Sequence, residues 1–158
     1  VVWGRGPRWG YAAGAIAAGL AAVWLTAAPP GMPARESAGP AIAWVRFDEA
    51  EIARRVAVGE VVLVDVTADW CVTCKWNKAA VLSQAPVADL FAGDVTAMQA
   101  DWTRPDPAIG AYLAKFGRYG IPFNAVYGPG APAGVPLPEL LNDDVVLDAV
   151  KKARGLAG

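Results

Sequence analysis

Two kinds of apolar pattern divide the chain. From Trp9 to Ala28 it reads WGYAAGAIAAGLAAVWLTAA, twenty residues without a charge. A helix of this length, rising about 1.5 Å per residue, crosses a hydrocarbon core of about 30 Å. From Trp44 onward the apolar residues come in shorter blocks separated by turn residues. VVLVDV at 61–66 is a continuous, mostly β-branched run, as in a strand buried on both faces. VTAMQAD (95–101) and PFNAVYG (122–128) read as further strands, and WVRF (44–47) as a short one. Between them lie helix signals. Asp48 is an N-cap with Glu51 at the capping-box distance, for a helix to about Val58 that Gly59 ends. A second helix runs from the cysteines to about Leu82, and Pro86 opens a short helical turn through Phe91. Pro107 to Phe116 is amphipathic and closed by Gly117, and 143–154 forms the last helix. Strands alternating with helices in this way predict an α/β sandwich around a mixed sheet.

The first segment sets the expected organisation. Arg5 and Arg8 precede the apolar run, and the next basic residue is Arg35. By the positive-inside rule, residues 1–8 are a cytoplasmic flank, 9–28 a transmembrane helix, and the chain beyond Pro29 lies outside. Trp9, Tyr11 and Trp24 fall near the ends, where amphipathic rings favour the interface, and Gly10 and Gly14 form a GxxxG spacing that lets another helix approach. A signal peptide with Ala27-Ala28 near its cleavage site is an alternative, as is a buried helix. The run is long for a signal sequence and the chain starts at Val1, so it reads as part of a longer protein entering at its last membrane helix. Residues 29–43 are rich in Pro, Gly and Ala and form a linker to a domain at 44–158.

Composition narrows the chemistry. Fourteen Lys and Arg against fifteen Asp and Glu leave a net charge of −1, with no basic field for nucleic acid. Histidine is absent, which removes Ser-His-Asp and Cys-His catalysis and His-bearing metal sites. Only two cysteines occur, three apart, so a disulfide-stapled scaffold is excluded.

Those two cysteines, in Trp70-Cys71-Val72-Thr73-Cys74-Lys75, stand directly after the buried strand and open a helix. At a helix N-terminus, unpaired N–H groups and the positive end of the dipole favour a thiolate at Cys71. Cys74, one turn in, is placed to resolve a mixed disulfide by attacking Cys71. Asp65, six residues before Cys71 on the inward side of its strand, is a buried carboxyl with raised pKa that can exchange protons with Cys74. The alternative for Asp65 is a solvent-facing carboxylate at the strand edge. For the cysteines, a structural disulfide closes almost no loop, contributing at most about 2 kcal/mol. A zinc half-site would need two ligands from elsewhere, with no other Cys or His in the chain.

Residues 61–82, VVLVDVTADWCVTCKWNKAAVL, resemble the thioredoxin superfamily, and ADWCxTCKxN is similar to one branch of it, the C-terminal periplasmic domain of the DsbD family of protein-disulfide reductases. ADWTRPDPAIGAYLAKFGRYGIPFNAVYGP (100–129) carries the same likeness through its Ile-Pro and Tyr-Gly-Pro. The resemblance implies a thioredoxin-like fold. It makes Cys71 the attacking thiol, Cys74 the resolving thiol and Asp65 the acid that modulates them. Ile121-Pro122 matches the cis-proline loop, where Pro122 stands against the dithiol and the Ile121 backbone pairs with an extended partner segment. Trp70 and Phe123 supply an apolar docking surface, with core packing the alternative for each.

The resemblance further implies a relay on the periplasmic side of a bacterial inner membrane. Electrons come from an upstream membrane domain of the same protein and pass to periplasmic thiol-disulfide proteins, with no cofactor or metal beyond the dithiol. Lys78 departs from the family pattern, which has an acidic residue there. Other readings remain: a stand-alone membrane-tethered thiol reductase of the cytochrome c maturation type, a thiol oxidase, or a binding module using the Pro-rich 120–140 surface.

Overall fold

The computed structural model describes residues 41–156. The flank at 1–8, the apolar run at 9–28 and nearly all of the 29–43 stretch lie outside the described residues. Among the described residues no helix is long and apolar enough to cross a membrane.

The chain order is β1 (Val45–Arg46), α1 (Glu49–Ala57), β2 (Val61–Thr67), α2 (Val72–Asn77), a π-helical stretch (Lys78–Leu82), α3 (Val87–Ala92), β3 (Val95–Asp101), α4 (Pro107–Lys115), β4 (Phe123–Gly128), β5 (Ala131–Pro136) and α5 (Asp143–Ala153). One five-stranded sheet runs β1-β3-β2-β4-β5. Strands β1, β3 and β2 are parallel, and β4 and β5 add to them antiparallel, giving the expected mixed sheet.

β2 is central and all seven of its residues are buried. Its side chains alternate between two apolar layers. Val61 and Leu63 pack with Val81, Leu82, Val87 and, from α5, Val146 and Val150. Val62, Val64 and Val66 pack on the other face with Ile52 of α1 and Ile109, Tyr112 and Leu113 of α4. Burying each such valine or leucine stabilises the fold by about 1.5–3 kcal/mol relative to exposure. Ile42 and Trp44 also pack against the first layer, so ordered packing begins inside the stretch read as linker.

The helix signals have identifiable partners. Asp48 caps α1 by accepting from the N–H groups of Ala50 (2.8 Å) and Glu51 (3.3 Å). The reciprocal half of a capping box is missing. Glu51 turns instead to Arg54 and Arg55, while the Asp48 N–H points at Met98 Sδ. Gly59 and Gly117 sit at φ +93° and +64° just beyond α1 and α4, a backbone region that disfavours a Cβ. The helix expected to run unbroken to Leu82 changes character at Lys78. There the Ser83 N–H reaches back five residues to the Lys78 carbonyl at 2.9 Å. Asn77, 1% exposed, clamps the end of α2 to the segment before α5. It donates to the Glu139 carbonyl (2.8 Å) and accepts from the Leu141 N–H (3.2 Å).

Candidate active site

β2 ends at Thr67, and four residues later the chain delivers Cys71 as the N-cap of α2. The Cys71 N–H is anchored on the Ala68 carbonyl at 3.0 Å. Its Sγ accepts from the Cys74 N–H at 3.2 Å, so one of the free donors at the helix head points at this sulfur. The two cysteines form a disulfide with their Cα atoms 5.3 Å apart. Cys71 is 6% exposed and Cys74 1%. An incoming group therefore meets Cys71 first, and both sulfurs pack with Ala68 and Ile121. The Ile121-Pro122 peptide is cis, as is Ala85-Pro86, for which no local pattern in the sequence prepares.

Beside the dithiol lies an open groove of about 510 Å³ lined by Trp70, Trp102, Pro105, Tyr119 and Ile121. Trp70 is 61% exposed and Tyr119 85%. The turn after β3 props this surface. The Thr103 hydroxyl accepts from the Asp69 N–H (3.0 Å), and its carbonyl accepts from Trp70 Nε1 (3.3 Å). Asp101 in turn accepts from the Thr103 N–H and hydroxyl, which hold its carboxyl below the ordinary value.

Phe123 takes the core-packing alternative and not the docking surface. It is 2% exposed and packs at 5.9 Å from the Tyr112 ring and 4.9 Å from that of Phe116. Its ring belongs to the core, because Phe123 pairs with Val66 in the antiparallel register and shares that residue's face. The exposed aromatics here are Trp70 and Tyr119. Tyr119 lies outside any regular element, where no periodic pattern flags it.

Asp65 faces inward, 2% exposed, and not toward solvent at a strand edge. The register sets Gln99 of β3 on one side of it and Asn124 of β4 on the other, a polar row across the three central strands. Asn124 Nδ2 donates to Asp65 Oδ1 at 3.0 Å, and Asp65 Oδ2 makes an ion pair with Lys78 Nζ at 3.2 Å. Burial pushes the Asp65 carboxyl up, and the Lys78 ammonium and the Asn124 amide oppose part of that rise. Gln99 and Asn124 each stand as a polar residue inside an apolar strand, a signal in the sequence. Their meeting at Asp65 depends on strand order.

Among the described residues no cluster of three or more His, Cys, Asp or Glu is placed to hold a metal ion. A separate cavity of about 780 Å³ runs along β1, α1 and α4 and contains none of these site residues.

Residues 43–129, more than half of the chain, match the thioredoxin-like family. The chain belongs to the thioredoxin-like family. Its fold is that of the thioredoxin-like disulfide oxidoreductases, and its Cys71–Cys74 pair forms the disulfide such chemistry uses. Among solved structures it is similar to the C-terminal domain of DsbD from Neisseria meningitidis. The oxidised form is 24% identical over 66% of this chain and 90% of that one, with a TM-score of 0.54. The reduced form is 25% identical over 69% and 99%, with a TM-score of 0.53. A DsbH oxidoreductase is 17% identical over 78% and 91%, with a TM-score of 0.53, a likeness of fold. No curated protein matches the chain.

Proposed function

We propose that this chain is the terminal relay of a protein-disulfide reductase of the DsbD type. The observation that carries the reading is the dithiol itself: a CxxC disulfide at a helix head, with its first sulfur hydrogen-bonded by an N–H and its second buried behind it. The likeness to the DsbD C-terminal domain supports the choice of branch. In this reading residues 9–28 tether the domain to a bacterial inner membrane. Residues 44–158 stand on the periplasmic side, and a membrane domain of the same protein upstream supplies the electrons. The dithiol is the only redox group required.

Each turnover moves two electrons. The Cys71 thiolate attacks one sulfur of a partner's disulfide, forming a Cys71–partner bond while the partner's own S–S bond breaks. The partner sulfur so released leaves as a thiolate and takes a proton from water. Cys74 then gives its proton to the Asp65 carboxylate, and its thiolate attacks Cys71 Sγ. The Cys71–Cys74 bond forms, the mixed disulfide breaks, and the partner departs with both sulfurs reduced. Ile121 offers its backbone to an extended partner segment beside Pro122, and Trp70 with Tyr119 gives that segment an apolar wall.

The test is the reduction potential of the Cys71–Cys74 pair in the full chain, equilibrated against glutathione. A reductant sits at or below about −200 mV, toward thioredoxin. A value near about −120 mV is that of a strong oxidant and would exclude the reductase. Cys71→Ser abolishes turnover in either case, which ties the measured activity to this sulfur.

A further inference from the structure

The polar cluster around Asp65 includes one residue from outside the sheet whose presence the exchange chemistry does not itself require. Lys78 leaves the helix one turn after Cys74, its backbone N–H bonded to the Cys74 carbonyl. Side chains four apart lie on one helix face, so Cys74 and Lys78 point the same way. Cys74 is 1% exposed, and the Lys78 side chain is 28% exposed and turns inward to Asp65. Its ammonium has three fixed neighbours: Asp65 Oδ2 at 3.2 Å, Gln99 Oε1 at 3.1 Å and the face of Trp44, whose ring centre lies 4.6 Å away. Lysine is flexible, and holding its head at one point costs side-chain entropy. Here three partners from three different segments fix it.

We propose that Lys78 is a positioning residue that keeps the Asp65 carboxylate ionised and turned toward the dithiol helix, ready for the Cys74 proton. An isolated carboxylate in an apolar layer would hold its own proton and could accept no other. The ammonium offsets that cost by ion pairing. Once the proton has passed, Asp65 is neutral and Lys78 keeps Gln99 and Trp44. The other groups on this face are few: from α2 Cys74, from β3 Gln99 and Asp101, from β4 Asn124, and from β2 Thr67. Asp101 is exposed at the end of its strand and also feels the Lys78 charge. Lys78 is the one cation paired with Asp65 among the described residues.

The proposal rests on the exchange reading for its meaning, and its test separates the two. In the full chain, the Asp65 carboxyl is titrated through its ¹³C resonance, assigned by its loss in Asp65→Asn. The wild type is compared with Lys78→Met, Lys78→Gln and Lys78→Arg, with unfolding midpoints confirming that each variant folds. Removing an opposite charge at this range changes the ratio of ionised to protonated carboxyl about tenfold or more. In Lys78→Met and Lys78→Gln the Asp65 titration moves to higher pH. Resolution of a preformed Cys71 mixed disulfide at pH 7 slows about tenfold, and its acid limb moves to higher pH with the titration. Lys78→Arg, which keeps the charge, restores both. An unmoved Asp65 titration in the neutral variants overturns the proposal whatever the activity. A moved titration with an unmoved pH profile also overturns it. A wild-type chain inert toward disulfides removes the exchange reading, while the titration still reports on the ion pair.

Discussion

Replacing Asn77 by alanine tests whether the clamp between α2 and the segment before α5 carries energy. The amide is 1% exposed and serves two backbone groups more than sixty residues along the chain, the Glu139 carbonyl and the Leu141 N–H. Those groups differ in what they can do without it. Glu139 is exposed, so its carbonyl can turn to water, and losing that bond costs about 0.5–1.5 kcal/mol. Leu141 is 6% exposed, so its N–H is left without a partner, a cost of about 1–3 kcal/mol. The sum is about 1.5–4.5 kcal/mol. With an m-value of about 2 kcal/mol/M in urea, the unfolding midpoint of the oxidised chain falls by about 1–2 M. Gln84→Ala is the control: it removes a single exposed hydrogen bond, to the Ala79 carbonyl, and shifts stability by no more than about 0.5 kcal/mol. If Asn77→Ala cost no more than this control, with an unchanged m-value, water would be replacing the amide and the clamp would be only geometric.

The site itself sets three other expected outcomes. Asp65→Asn changes how stability depends on pH. An acid whose folded value is raised contributes stability below its unfolded value, near 3.8 here, and loses it as pH rises through the folded value. The variant therefore gains on the wild type across that window, and urea titrations in which the stability of the variant relative to the wild type fell as pH rose would refute the burial argument. Phe123→Ala costs about 3–5 kcal/mol in chemical denaturation, as for a buried ring, and a loss below about 1 kcal/mol would return the ring to the surface. Trp70→Ala, with its side chain largely exposed, changes stability by less than about 1 kcal/mol. It slows exchange with a disulfide flanked by apolar residues but not with a small soluble disulfide, and equal slowing of both would argue against a docking role.

The chemistry of this protein was legible in its sequence because it resides in local order. A buried β-branched run, then CxxC, then a helix places Cys71 at a helix head whatever the rest of the chain does. Asp48, Gly59 and Gly117 mark helix ends through side-chain capping and left-handed backbone, which are also local. Continuous apolar character in 61–66 was enough to put Asp65 on a strand buried on both faces. Register and strand order lie beyond such reasoning, since they depend on which segments pair across long stretches of chain. They set Gln99 and Asn124 on either side of Asp65 and bring Lys78 back from the helix to its carboxylate. The same register turned Phe123 into the core, because a residue opposite Val66 shares its face, while Trp70 and Tyr119 lie outside any strand and stay exposed. Sequence alone determined that the two sulfurs stand at a helix head. The tertiary structure decided which charge stands beside the buried acid, because ion pairs form between residues that only the fold makes neighbours.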